Sequence, residues 1–303
     1  VPAQTGVSNT AVTMNAASME NSGFEFSATY RNRDHAFKYD ISANLSTLKN
    51  KVTSLGIGKD SYIAGAYATY VGQEIGQFYG WVYEGIARTQ ADLDNHATQQ
   101  GVNVGDCLYK DISGPEGTPD GVIDEYDQTV LGSGLPKVNF GLSTHMEYKG
   151  FDLNISTYGV LNYHVSDDIY NSLNSCYGYG NKEVGMLDAN RWSEDGTYLS
   201  SVPRTYAANN ATLAWNDLFS SRKIQNAAYW KIANVELGYN FPDKWFGGYV
   251  SAVRLYVSAQ NLYTFTGYHG YNVDYAGGTF TPGYNFCSFP SARTFMCGLH
   301  FTF

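Results

Sequence analysis

The chain has 303 residues and a formal net charge of -9, and charged residues make up only 16% of it, well under the roughly 25% of soluble domains. Its Lys and Arg are dispersed rather than clustered, which argues against nucleic acid as a partner. No apolar run approaches the ~18–20 residues that a spanning helix requires, and the mean hydropathy is -0.31, so a helical membrane protein is excluded. Abundant Tyr (26) and Gly (32) with little charge suit a β-barrel, in which only alternate residues meet lipid. A soluble, Tyr-rich β-sandwich or propeller is the alternative on composition alone.

In chain order, alternation predicts strands over 23–32 (Phe24, Phe26, Ala28, Tyr30 on one face) and 36–46 (Phe37, Tyr39, Ile41, Ala43, Leu45). Two weaker strands are predicted near 61–70 and 76–86. In 138–149, Val138, Phe140, Leu142, Thr144, Met146 and Tyr148 form the outward set. Asn139, Gly141, Ser143, His145, Glu147 and Lys149 form the inward set. The strand 151–161 follows after Lys149-Gly150, a tight hairpin turn. Further strands are predicted over 228–241 and 250–262, the latter with Val253, Leu255 and Val257 against Arg254, Tyr256 and Ser258. The final segment, 293–303, puts Phe295, Cys297, Leu299, Phe301 and Phe303 on one face, because strand side chains alternate with period two.

The connections carry more weight than the strands. Short ones (Arg33–His35, Lys149-Gly150, Pro242–Gly248) alternate with long ones (87–136, 163–225, 263–291). Long structureless loops argue against a compact soluble domain. Outer-membrane barrels have short periplasmic turns and long extracellular loops. The reading is an all-β, antiparallel transmembrane barrel portion of nine strands, ending at Phe303 on the periplasmic side. Bacterial single-chain barrels use even strand numbers, so the expectation is that residues 1–303 form the C-terminal part of a larger barrel. No signal peptide is visible, so the chain is either mature or lacks its front.

Gly105–Asp127 is the densest carboxylate segment, and its end, Asp120-Gly-Val-Ile-Asp-Glu-Tyr-Asp127, resembles the second half of a calcium loop. Asp111, Asp120, Asp124 and Asp127 are the candidate ligands for Ca2+ or Mg2+. The first half departs from the pattern: either Glu116 and Thr118 take the first ligand positions, or Asp111 does so with 114–118 looped out. An acidic solvated turn is the alternative. Tyr177, Tyr179, Trp192, Trp215, Tyr268 and Tyr271 are candidate substrate contacts, since flat rings stack on sugars or pack against peptides. Loop packing and interface belts are the competing role. Cys107 and Cys176 could pair in an oxidising compartment. Scattered His and Ser residues form no catalytic constellation, so no enzyme is expected.

Ordered blocks then point to a family. These are Asn21-Ser-Gly-Phe-Glu25, Gly76-Gln-Phe-Tyr-Gly-Trp-Val-Tyr-Glu-Gly-Ile86, Gly105–Asp127, and Leu131-Gly…Pro136-Lys…Phe140-Gly-Leu. Tyr148-Lys-Gly-Phe-Asp152, Arg191-Trp192, Ala228-Tyr-Trp-Lys-Ile and Leu237-Gly-Tyr-Asn-Phe-Pro242 follow. Asn261-Leu-Tyr-Thr-Phe-Thr266 and Pro290-Ser-Ala-Arg-Thr-Phe295 complete the series. The chain resembles the C-terminal half of the barrel of SusC/RagA-type TonB-dependent outer-membrane transporters. Met296 departs from the terminal assembly signal, while Gly298, Phe301 and Phe303 keep their places. The resemblance implies a 22-stranded barrel in the bacterial outer membrane with an N-terminal plug. It also implies a SusD-like surface lipoprotein as lid, TonB as the energy source acting through the plug, and a dimer of barrel–lipoprotein pairs. The implied cargo is oligosaccharide first, peptide second. A passive or structural barrel and a soluble glycan-binding β domain are the competing readings.

Overall fold

The computed structural model describes residues 17–56, 58–175, 181–184, 192, 202–205, 215–246, 250–275 and 277–303. Seven long antiparallel strands form its main sheet. They are β1 (Glu25–Asn32), β2 (Phe37–Thr47), β3 (Val138–Tyr148), β4 (Phe151–Leu161), β5 (Tyr229–Phe241), β6 (Ala252–Thr266) and β7 (Thr294–Thr302). Each pairs with the next in sequence, an unbroken meander. The strands predicted over 23–32, 36–46, 138–149, 151–161, 228–241, 250–262 and 293–303 are all present.

Nine strands were expected, and among the described residues the main sheet holds seven. Residues predicted as weaker strands near 61–70 and 76–86 form four short pieces: Ser61–Ala64, Tyr67–Tyr70, Gln77–Gly80 and Tyr83–Ile86. None joins the main sheet. Three of them pair with one another and with Thr129–Ser133, and the fourth pairs with Cys107–Tyr109. The reason is length, since a four-residue strand cannot span a bilayer that needs ~9–11 residues. They belong to one long excursion between β2 and β3.

Register explains why the alternation was so legible. β3 pairs with both neighbours over its full length without a slip, from Val138 opposite Thr47 and Leu161 to Tyr148 opposite Phe37 and Phe151. A one-residue shift would send every apolar side chain to the wrong face. The β3–β4 turn places Lys149 and Gly150 both at positive φ (48 and 89), the backbone of a two-residue type I′ turn. Bulges interrupt the ladder only farther up, between Ser156 and Thr157 and between Ile232 and Asn234.

One face of the wall is apolar. Leu142, Phe151, Leu237, Val257, Phe295, Leu299 and Phe301 are all exposed on it. At its short-turn end the rings of Phe37, Tyr39, Tyr148, Phe151, Tyr239 and Phe241 form a belt, with centroid separations from 4.6 Å (Phe151–Tyr239) to 6.3 Å (Phe37–Tyr148). A second belt at the other end holds Trp230 stacked on Phe265 at 5.2 Å and Tyr263 against Phe265 at 4.7 Å. An apolar band between two aromatic girdles is the exterior of a membrane barrel. Among the described residues no helix is long and apolar enough to cross a membrane.

Among the described residues, the long connections pack into two hydrophobic clusters at the end of the wall. One gathers Val160, Tyr163, Val165, Ala227, Tyr229, Tyr268 and Val273. The other gathers Cys107, Tyr109 and Ile123 under Trp81, Tyr83 and Trp215.

Candidate functional site: the polar wall and the long-loop layer

The opposite face of the wall is polar and hydrogen-bonded. Lys38, Glu147, Asp152, Gly238, Tyr256 and Gly298 share one row across β2–β7. Arg254, one row away, donates from Nε to Asp152 Oδ2 at 3.0 Å and from Nη2 to Glu236 Oε1 at 2.7 Å. Asn240 adds a third hydrogen bond to Asp152 at 2.9 Å. His145 bridges Asn154 (2.6 Å) and Glu147 (2.8 Å), and Lys38 approaches Glu147 at 3.6 Å. Room for this layer comes from the absent side chains of Gly238 and Gly298. A Cβ there would strike the Arg254 guanidinium at 2.5 Å or the Tyr256 ring at 2.5 Å. Charges in such rows are tolerable only where water or counter-charges meet them. This face is therefore the lumen side, as the alternation predicted.

Higher up, the connection after β6 folds back over this face. Asp274 accepts hydrogen bonds from the hydroxyls of Tyr158 (3.1 Å) and Tyr229 (2.9 Å), and the Lys231 ammonium meets its other oxygen at 2.5 Å. Deeper in the loop layer, Asp167 caps the helix Asp168–Leu173 by accepting from Tyr170 N at 2.8 Å. Its second oxygen accepts from Asn285 at 3.0 Å and from the Tyr268 hydroxyl. Tyr268 is thus buried in a packed knot, and burial pushes its hydroxyl pKa upward. Expected as a substrate contact, Tyr268 instead packs its ring in the loop core, and its hydroxyl is engaged there by Asp167 and Asn285.

Trp192 is likewise a packing residue. Its backbone N–H donates to Val202 O at 2.9 Å, and its indole lies 2.6 Å from where a Cβ on Gly105 would sit. Trp215 donates from Nε1 to Gln100 O at 2.8 Å, with its ring 6.0 Å from Tyr109. Tyr271 remains available, 63% exposed. Tyr177 and Tyr179 lie outside the described residues, as does Cys176. Cys107 is buried and free, and burial pushes its thiol up to about 11.

The four candidate metal ligands do not gather as a ligand set. Among the described residues no three His, Cys, Asp or Glu side chains converge to hold a metal. Each carboxylate instead accepts backbone N–H groups. Asp111 takes Gly121 N (2.7 Å), Asp120 takes Val122 N (3.0 Å) and Asp124 takes Tyr126 N (2.8 Å). Asp127, fully buried, takes Ile112 N (2.8 Å), Ser113 N (3.1 Å) and Asp124 N (2.9 Å). Ile123 anchors the segment in the core beside Cys107 and Tyr109. Calcium takes six to eight oxygens, and here one oxygen each of Asp111, Asp120 and Asp124 and both of Asp127 accept from the loop's own backbone, while Asp111 Oδ1 is buried without a partner.

Sequence reasoning missed one knot in this layer. Buried Asp106 accepts from Arg204 Nε (2.6 Å) and Nη2 (2.9 Å), from Asn216 Nδ2 (2.8 Å) and from Asn103 N (2.9 Å). It joins three stretches far apart in sequence, a fork-to-carboxylate geometry that carries both energy and orientation. No local spacing signals it, because Arg204 and Asn216 lie roughly a hundred residues downstream.

A girdled apolar exterior, a charged interior and a packed loop layer define the wall of a transmembrane β-barrel. No family model matches the sequence. The chain is 30% identical over 322 residues to TonB-dependent receptor P3 of Formosa agariphila, across 100% of this chain and 30% of that protein. It is 26% identical over 310 residues to TonB-dependent receptor SusC of Bacteroides thetaiotaomicron, across 97% of this chain and 27% of that one. The RagAB peptide transporter structure superposes with a TM-score of 0.74 at 20% identity, covering 94% of this chain and 29% of that chain. The chain therefore spans about three tenths of the length of the curated relatives it matches. Along nearly its whole length the sequence resembles TonB-dependent receptors of the SusC type.

Proposed function

We propose that this chain is the C-terminal part of the barrel wall, with its extracellular loop layer, of an outer-membrane importer of nutrient oligomers. TonB energises import through a plug outside these residues, and a SusD-like lipoprotein covers the loop-side mouth. Oligosaccharides are the first cargo and peptides the second. The observation that carries this reading is the two-faced wall. Its exterior suits only lipid, its interior is lined with hydrogen-bonding groups, and its long connections lie at one end, where a lid would sit. Relatives along the whole chain are TonB-dependent receptors.

Uptake by cells expressing the whole transporter tests it. Deleting TonB should abolish uptake of the cognate oligomer while leaving the barrel folded in the outer membrane. Uptake continuing at the same rate would establish a passive pore instead.

A further inference from the structure

The hairpin of β1 and β2 continues past the apolar band. Its register runs from Asn32 opposite Tyr39 to Glu25 opposite Ser46. The same register carries on into Ser18–Ser22 and Lys49–Ser54, with Ser22 opposite Lys49 and Glu20 opposite Lys51. Gly23 makes the passage possible, because a Cβ there would strike the Thr47 carbonyl oxygen. Alternation therefore keeps Lys49 and Lys51 on the side of Ile41 and Leu45, the apolar exterior, and Ser22 and Glu20 on the side of Phe24 and Phe26. Burial agrees: Asn50 and Val52 are buried, whereas Lys49, Lys51 and Thr53 are exposed. This face points away from the lumen, so closing the barrel does not cover it.

Height decides what these lysines meet. Lys49 lies twelve residues beyond Phe37 of the short-turn belt. That is about 40 Å along a strand, and about 30 Å along the membrane normal at a barrel tilt of about 40°. A bilayer's hydrocarbon core is about 30 Å thick, so the two ammonium groups emerge at the headgroup level on the long-loop side. Neither side chain has a hydrogen bond or ion pair with a described residue, and Glu20, across the ladder from Lys51, is not paired to it. Below them Phe24, Phe26, Ile41 and Leu45 are exposed on the same face. An amphiphile with acyl chains on these side chains and an anionic head at the lysines satisfies both halves. A soluble anion would use only the lysines. Ser22 beside Lys49 and Thr53 beyond Lys51 add hydroxyls that suit a sugar headgroup.

We propose that Lys49 and Lys51 hold the phosphate of a phosphorylated glycolipid of the outer leaflet, with its acyl chains on Phe26, Ile41 and Leu45. The proposal rests on the membrane reading of the wall and adds a specific lipid to it. The ammonium groups pair with phosphate oxygens, and Ser22 and Thr53 exchange hydrogen bonds with the sugar.

The test uses the whole transporter with its lipoprotein, purified in detergent, and native mass spectrometry to follow the first lipid bound. The probes are lipid A, the same lipid A stripped of phosphate, and phosphatidylglycerol. Phosphorylated lipid A should bind about tenfold more tightly than the stripped form. Two unopposed lysines at an anionic surface would give roughly thirtyfold, and Glu20 across from Lys51 reduces it. The exposed double variant Lys49→Gln/Lys51→Gln should erase the difference, and Lys49→Arg/Lys51→Arg should keep it. Lys149→Gln, at the short-turn rim, should leave it unchanged. Millimolar inorganic phosphate should not compete. Equal binding of the two lipid A forms, a glutamine double variant that binds as the natural chain does, or displacement by inorganic phosphate would each overturn the site. Phosphatidylglycerol bound as tightly, and lost in the same variant, would overturn the glycolipid assignment in favour of an ordinary phospholipid. Whether the protein leaves the membrane only with detergent reports separately on the membrane reading, which survives if only the lipid measurements fail.

Discussion

Asp127 shows what a motif can and cannot say. Spacing identified a carboxylate in an acidic loop with glycine and isoleucine correctly placed, but it could not distinguish a cation ligand from an acceptor of backbone N–H groups, since both call for hard oxygens in a tight turn. The structure gives Asp127 three N–H partners and full burial. Leaving buried donors unsatisfied costs about 1–3 kcal/mol per group, so Asp127→Ala should destabilise the loop layer by at least about 3 kcal/mol. Limited proteolysis of the assembled protein reads this as faster cleavage within 105–127, and added calcium should not restore protection. His164 offers the complementary pH test. Burial lowers its pKa below the ordinary 6.5, so the folded layer holds it neutral while the unfolded segment takes up a proton. Its contribution is intact above about pH 6.5 and is lost as pH falls below it. Proteolytic protection of the loop layer should therefore decline from pH 7.5 to pH 5.5, and His164→Gln should flatten that decline.

At the level of elements, the seven wall strands were readable because each alternates over enough residues to fix both period and face. The segments 61–70 and 76–86 misled because a few alternating residues look alike in a wall strand and in a small loop sheet. Only the tertiary packing of Phe78, Tyr67 and Phe219 against one another marks them as loop core. The face assignment can be tested directly. Val257→Arg or Leu255→Arg should cost roughly 2–4 kcal/mol near the bilayer midplane. Ser258, the lumen-side control suggested by alternation, is only 6% exposed, so packing would confound it. The exposed Gln260 on the same face is the cleaner site, and Gln260→Arg should cost far less. Unfolding in bilayers compares the three, and equal losses would reverse the faces. Across β4–β6, Arg254 holds Asp152, whose side chain is 7% exposed, together with Glu236. Removing one partner of a buried pair costs about 3–5 kcal/mol. Because Arg254 is a quarter exposed, Arg254→Met should lose about 3 kcal/mol, and adding Asp152→Asn should return part of it.

For the whole molecule, the decisive quantity is where the exposed apolar surface lies. Scattered exposed hydrophobics are normal, but a contiguous apolar face larger than a few hundred Å² is not. Here Leu142, Phe151, Leu237, Leu255, Val257, Phe295, Leu299 and Phe301 share one side of one sheet, bounded at both ends by aromatic rings. Burying such a face against another protein layer would also bury two girdles of Tyr and Trp, whose polar tips favour an interface between apolar and wet surroundings. Lipid satisfies both demands at once. The lumen rows could not exchange places with this face, because Arg254, Asp152 and Glu236 would then meet hydrocarbon. The expected outcome is that the protein carrying this wall stays in the membrane fraction through a high-pH carbonate wash and enters solution only with detergent. Once there, its strands should resist heat until well above the temperature at which the loop layer becomes protease-sensitive, because the wall's ladder is continuous and the loop cores are small and separate. Release into plain buffer would mean that a protein partner, not lipid, covers the apolar face, and it would return the chain to the soluble β-domain reading.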